Sequence, residues 1–395
     1  MRCFLAYISL FIMVFLISCD AKDNLATPDY GFKKIIGSTK FEGEFYPWDL
    51  IETSDKGFLV LSSSNTTALK SIHLFKTDEN GDFEFEMADS SSFKNPLPKI
   101  IVSGGAYYLI AMEQVTLEAH LLRIDLNNRV LVDEKTYAGF LYPTAIGKTD
   151  NGYILQGFDR DAQRIRILSL ATNFNENWRE RYSVYEDPIQ FNEHLLQTRP
   201  LPFFCGESSQ FYFLGSMYNY TLNVLFVEKA DGKLVKRITG FRYDAGISNM
   251  LNIRGDEFFI SKYNLVGENS ILPKFTLDQG SNATINSQNK EEIPEKIDLE
   301  LPLRAKSILK KITLKDKPFI AHLTETKKQE TLLNFYDFDG NLVLSKRFGG
   351  DVPYFAGNVI TSSDGGLVVL SKTYIAGRIA RIVLIKLNKE VVGEL

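Results

Sequence analysis

The chain has 395 residues, 44% hydrophobic and 24% charged, with a formal net charge of −4; this is a globular balance, long enough for one large core or two domains. The charge offers no basic field to a nucleic-acid backbone, so nucleic acid is set aside as a partner. Twenty-nine Phe and 18 Tyr against 2 Trp, together with 27 Gly, favour an all-β protein.

Arg2 precedes an uncharged run from Cys3 to Ser18. The run is marginal for crossing a bilayer core but suits the apolar region of a signal peptide. It ends in Leu16-Ile-Ser-Cys19 before polar Asp20-Ala-Lys-Asp23. That junction resembles the lipobox of bacterial lipoproteins, which implies a signal peptide over 1–18 and a lipid on Cys19. A plain secretory signal or an uncleaved anchor is the alternative. Two acyl chains on Cys19 would supply stable membrane anchoring. Residues 19–33 are then expected to be a tether, and 34–395 the folded domain. With Cys3 removed and Cys19 lipidated, Cys205 stands alone, so no intrachain disulfide forms. Its apolar setting, Pro202-Phe-Phe-Cys-Gly206, predicts an inert thiol.

Past the tether a unit repeats. Ser54-Asp-Lys-Gly-Phe-Leu-Val-Leu61, Thr149-Asp-Asn-Gly-Tyr-Ile-Leu155 and Ser363-Asp-Gly-Gly-Leu-Val-Val-Leu370 each set a polar turn before a run of β-formers. With degenerate copies the runs begin at Phe58, Tyr107, Tyr153, Phe211, Phe258, Phe319 and Leu367, at intervals of 49, 46, 58, 47, 61 and 48. The long intervals hold insertions, around Glu186–Leu195 and Lys290–Glu300, that are expected to be loops. Each run is followed by a second strand and an Asp/Asn/Gly hairpin, such as Phe335-Tyr-Asp-Phe-Asp-Gly-Asn341. Calling the strands of a unit a to d, the run is strand b, and Trp48–Glu52 and Asn358–Thr361 are strands a. Ile36–Phe41 occupies a strand d position ahead of the first strand a. It is therefore expected to pair with the last unit and close a ring, which removes exposed sheet edges.

A period in the forties with four strands per unit predicts a seven-bladed β-propeller of four-stranded antiparallel blades, with six or eight blades as alternatives. The turn-plus-strand unit and its Lys-x-Asp hairpin resemble kelch-like propeller repeats of bacterial exported lipoproteins. Trp178 stands where that pattern carries Trp. The resemblance implies architecture and an outer-membrane address in the envelope of a Gram-negative bacterium, and leaves the membrane side open. It is silent on activity.

Chemical motifs are few. Asp55, Asp150 and Asp364 read as turn caps rather than acids of a site. The Asp-rich hairpins lack the ligand spacing of calcium loops, and His73, His120, His194 and His322 show no metal spacing. No nucleophile elbow, zincin helix or phosphate loop is present, and two Trp cannot furnish the dockings of quinoprotein propellers. Neither a cofactor nor a metal is expected.

Binding residues concentrate on varied loops carried by a rigid scaffold. Here the d–a and b–c connections vary, whereas the a–b and c–d turns are short. The varied side is expected to carry Tyr46, Trp48, Tyr142, Arg160, Arg199, Tyr218, Tyr220, Tyr354, Phe355 and Tyr374. Tyr, Trp and Arg together suit a glycan face or a protein hot spot. The functional expectation is a membrane-anchored, non-enzymatic binding or scaffold propeller for protein or glycan. The alternative is a polysaccharide-active hydrolase or lyase.

Overall fold

The computed structural model describes residues 30–38, 43–64, 69–183, 203–218, 221–240, 245–264, 269–278, 284–294, 296–303, 305–350, 352–375 and 379–389. The signal segment, Cys19, the insertion at 186–195, Arg199 and Tyr220 lie outside them.

The described chain is all-β and is built from antiparallel meanders. After β1 (Tyr30–Ile36) come β2 (Phe45–Glu52), β3 (Phe58–Ser64), β4 (Ser71–Thr77) and β5 (Phe83–Lys94), each paired with the next. The path repeats in β6 (Ile101–Ser103), β7 (Ala106–Glu113), β8 (Glu118–Asp125) and β9 (Val130–Leu141). It repeats again in β10 (Pro143–Thr149), β11 (Gly152–Asp159), β12 (Arg164–Ala171) and β13 (Glu176–Ser183). Next are β14 (Phe204–Glu207), β15 (Phe211–Tyr218), β16 (Thr221–Glu228) and β17 (Leu234–Thr239). These are followed by β18 (Ala245–Arg254), β19 (Glu257–Asn264), β20 (Ser270–Thr276), β21 (Thr284–Asn286) and β22 (Lys296–Ile297). A regular meander returns in β23 (Ile308–Leu314), β24 (Lys317–Glu325), β25 (Thr331–Tyr336) and β26 (Leu342–Phe348). The last strands are β27 (Phe355–Thr361), β28 (Leu367–Ile375) and β29 (Ile379–Leu387).

The second strand of each meander starts at or beside the first large residue of a repeat. These strands are continuous apolar runs because both of their faces are covered. On β3, Phe58 and Val60 pack with Val368, Leu370, Ile382 and Leu384 of the last sheet. Leu59 and Leu61 point the other way, toward Leu109, Ala111 and Leu122. Alternate side chains thus cement neighbouring sheets on opposite sides. Each fully buried Leu or Val contributes about 1.5–3 kcal/mol.

The repeated Asp is a turn cap. Asp55 Oδ1 accepts the Gly57 amide at 3.1 Å and the Thr53 hydroxyl at 2.5 Å. Asp364 does the same with Gly366 at 3.0 Å and Ser362 at 2.6 Å. Each carboxylate also meets a lysine of the third strand, Lys76 at 2.8 Å and Lys386 at 2.6 Å. These contacts hold the Asp364 carboxyl down at about 2 against the effect of burial. The hairpins beyond use Asp78 and Asp337 in the same way, with Gly81 and Gly340 at φ of 75° and 87°.

The first and the last described strands share a sheet. The last sheet has the order β1-β29-β28-β27, so the first strand completes it. Among the described residues the pairing segment is Tyr30–Ile36, which lies ahead of the expected Ile36–Phe41 and starts inside the stretch read as tether. Alternation explains the shift: Phe32, Lys34 and Ile36 face inward while Gly31, Lys33 and Ile35 face solvent. Residues 39–42 lie outside the described part. The Phe32 ring sits over Gly81, where a Cβ would come within 2.6 Å of it. Trp178 on β13 sits over Gly232 (φ 79°) in the same manner and donates to the Lys229 carbonyl at 3.0 Å.

One hairpin departs from expectation. After β20 the chain does not return on it directly. Instead β21 runs parallel to β17, and two-residue β22, inside the charged segment read as a loop, pairs with β20. Residues 284–293 are polar except for Ile285 and Ile293, which are buried among Phe226, Phe258 and Phe275. Two isolated isoleucines can plug a core but cannot form an alternating strand face.

Candidate functional site

The first strands of the meanders pack side against side: β2 on β27, β10 on β14, β14 on β18, β18 on β23 and β23 on β27. With the segment Asn95–Lys99 they wall a cavity of about 1050 Å³. Four of these strands carry a β-bulge at matching places. The extra residues are Trp48 on β2, Thr144 on β10, Ser248 on β18 and Gly357 on β27, and all four line the cavity. A bulge leaves one residue out of the ladder and re-aims it. Here it turns a side chain or a carbonyl toward the centre.

The lining is rich in lysine. Among the described residues, seven lysines (70, 99, 148, 306, 310, 311 and 372) face three carboxylates, Asp49, Glu207 and Glu325, in a chain whose overall charge is negative. Lys70, Lys306 and Lys372 gather at the end where the d–a and b–c connections lie. Lys70 directly precedes β4, Lys306 precedes β23, and Lys372 pairs with Phe355 at the start of β27. The Lys70 ammonium lies 4.9 Å from the centre of the Trp48 ring and the Lys306 ammonium 5.4 Å from the same ring. Lys306 also donates to the carbonyl of the bulged Gly357 at 3.3 Å. Trp48 is fixed by its indole N–H, which donates to the Ser63 hydroxyl at 2.8 Å. Lys372 is caged by Tyr46 and Phe355 at 4.7 Å each and by Tyr374 at 5.1 Å, and it donates to the Tyr374 hydroxyl at 3.2 Å.

Burial acts strongly on these cations. It pulls Lys70 down to about 7, helped by the charge of Lys306. It pulls Lys306 to about 8, against the attraction of Glu325. Lys310 and Lys311 are lowered for the same reason. Burial raises the carboxyl of Glu325 in turn, opposed by Lys306, Lys372 and the Ala356 amide. Deeper in, Asp49 accepts the Ile100 amide at 2.8 Å and the Asn358 side-chain amide, with Lys310 at 3.8 Å. Glu207 accepts the Asp150 amide and pairs with Lys229, both at 2.5 Å. Half-buried Cys205 lines the wall with its thiol on the Ile154 carbonyl at 3.3 Å, and burial pushes it up to about 12. No group of three or more His, Cys, Asp or Glu that could hold a metal occurs among the described residues.

Of the residues expected at the site, Tyr46 and Trp48 line the cavity and Tyr374 joins the cage beside it. Tyr142 is buried with Phe158 and Ile165 in the core, and Tyr354 is buried under Lys33. Arg160 is exposed on the β11–β12 turn. Tyr218 ends β15 opposite Thr221. The lysines went unnoticed in the sequence. Their one sequence-level signal is Ala305-Lys-Ser-Ile-Leu-Lys-Lys311, where one cation precedes a strand and two lie within it beside Ile308, Leu309 and Ile312.

No protein-family model matches the chain, and no curated protein matches it in sequence. Solved structures are similar in shape at low identity. A Dos1 propeller is 10% identical with a TM-score of 0.47, covering 86% of this chain and 77% of that one. An oligogalacturonate lyase in complex with manganese is 9% identical with a TM-score of 0.46, covering 89% and 99%. Hsv2 of Kluyveromyces lactis is 10% identical with a TM-score of 0.41, covering 86% and 98%.

Proposed function

We propose that this chain is a seven-bladed binding propeller, anchored in the bacterial envelope by lipid on Cys19, that receives part of a glycan or protein partner in the lysine-lined cavity without converting it. The blades are the meanders β2–β5, β6–β9, β10–β13, β14–β17, β18–β20, β23–β26 and β27–β29 with β1. The packing of β2 on β27 and the place of β1 in the last sheet support ring closure.

The observation that carries the binding role is the engagement of the three cavity carboxylates among the described residues. Asp49 and Glu207 are saturated by backbone amides, Asn358 and lysine. Glu325 faces two ammoniums and an amide. A glycosidase or lyase needs an acid and a base free to reach substrate, and the surplus here is of cations held for contact.

Incubation of the purified protein with envelope and capsular polysaccharides, followed by mass analysis, tests the role. The expected result is retention of a ligand recovered intact. Shortened or unsaturated products would overturn it. The anchor has its own test: Cys19→Ala should end palmitate labelling, and a mutant that still labels would refute lipidation at that residue.

A further inference from the structure

Three buried or half-buried lysines converge from elements far apart in sequence, and their mutual repulsion is answered by aromatic rings and one carboxylate. Removing an ammonium from water costs several kcal/mol. A ring face returns only part of that cost. Lys76, buried in the same meander as Lys70, meets two carboxylates, Asp55 and Glu84, at 2.8 and 3.1 Å. Lys70 is equally buried yet forms no ion pair with a described residue, and its ammonium is held over Trp48 toward the cavity. The aromatics expected to stack on a ligand therefore orient the cations instead.

We propose that Lys70, Lys306 and Lys372 form a receptor for a compact polyanion, a molecule or chain end bearing two or more carboxylate, phosphate or sulfate groups. The inference rests on the cavity being the binding site. Lysine suits such a ligand as a point charge that accepts anions from several directions, and the cavity is of small-ligand size. An anion between Lys70 and Lys306 supplies the missing countercharge and excludes a neutral ligand by leaving the ammoniums desolvated. Lys70 is faced by Trp48 from β2, by Lys306 from the approach to β23 and, through its own amide, by Asn95. Glu325 and Lys372 stand beyond Lys306. Binding therefore takes up a proton at Lys70, and affinity falls as the pH rises from 6.5 to 9.

Calorimetry on the detergent-solubilised full-length protein at low salt tests this with four probes: citrate, tripolyphosphate, hexamannuronate and mannohexaose. At least one anion should bind, and the arm that binds tightest identifies the anionic group. Mannohexaose should bind at least tenfold more weakly than the tightest anion. Lys70→Met and Lys306→Gln should each weaken that anion tenfold or more and abolish its quenching of Trp48, while Lys328→Met on an exposed turn should not. Affinity should fall about tenfold between pH 6.5 and 9. Mannohexaose binding as well as hexamannuronate would overturn the anion inference and leave the cavity as a binding site. Anion binding unchanged in both variants, or no binding by any anion, would overturn it as well. Recovery of converted products is a separate failure, that of the binding role itself.

Discussion

Lys76 and Lys70 are both buried lysines of one meander, six residues apart, and they are treated in opposite ways. Lys76 underlies the Asp/Gly turns, where two carboxylates and the Thr77 carbonyl at 2.7 Å satisfy it. Lys70 sits at the other end of β4, where its neighbours are an indole and a second ammonium. At the turn end the fold itself answers the charges of Lys76 and Lys386. At the cavity end Lys70 has no ion pair among the described residues, which is what the proposed anion would supply. Pairing, rather than burial, separates scaffold from site.

The sharpest way to break that contrast is to remove pairing where it exists. Asp55→Ala with Glu84→Ala removes two half-exposed partners of Lys76 and the Asp55 turn cap, and should cost about 3 kcal/mol in urea unfolding; an unchanged midpoint would erase the distinction. Acid tests a third treatment, a buried base with no hydrogen-bond partner in the described part. His322 is buried with both ring nitrogens unbonded and its pKa pulled to about 4 by burial, and His73 is also lowered to about 4. Between pH 6.5 and 4 the unfolded chain binds protons that the folded chain refuses. Stability is full above 6.5 and falls as the pH drops toward 4, by roughly 3 kcal/mol per histidine. His322→Leu should remove about half of that slope, and a variant with the wild-type slope would assign it elsewhere. On the turn side, Trp178→Ala should cost about 2–3 kcal/mol by uncovering Gly232, measured as a shift in melting temperature. The smallest effect belongs to the cavity: Lys70→Met should leave stability unchanged or raise it. A loss above about 1 kcal/mol would make Lys70 part of the scaffold.

Much of the scaffold was readable because it repeats. Phe58, Tyr153 and Leu367 head real second strands, and Asp55 and Asp364 cap real turns, since turn chemistry acts over a few residues and leaves a local signature. The joining of the first strand to the last sheet was also readable, but its segment was not. Ile36–Phe41 matched the repeat in position, whereas Tyr30–Ile36 had the alternation that pairing requires. The site was hidden for the opposite reason. Lys70, Lys306 and Lys372 hold three different places in their units, so no repeat marks them, and only the packing of the sheets on one another brings them together. Tyr46 and Trp48 were visible as aromatics on the varied side. Their work of holding lysines depends on a bulge that no residue type announces.

The pairing of β1 with β29 sets a schedule for the chain. β1 is made before any other described strand, and its partner is made after all the rest. Until β29 is made, Phe32 and Ile36 can pack against early residues such as Phe58 but lack the strand they pair with. Contacts of such sequence separation come late and slowly in folding. The stretch most in need of protection before completion is therefore the one nearest the start of the fold.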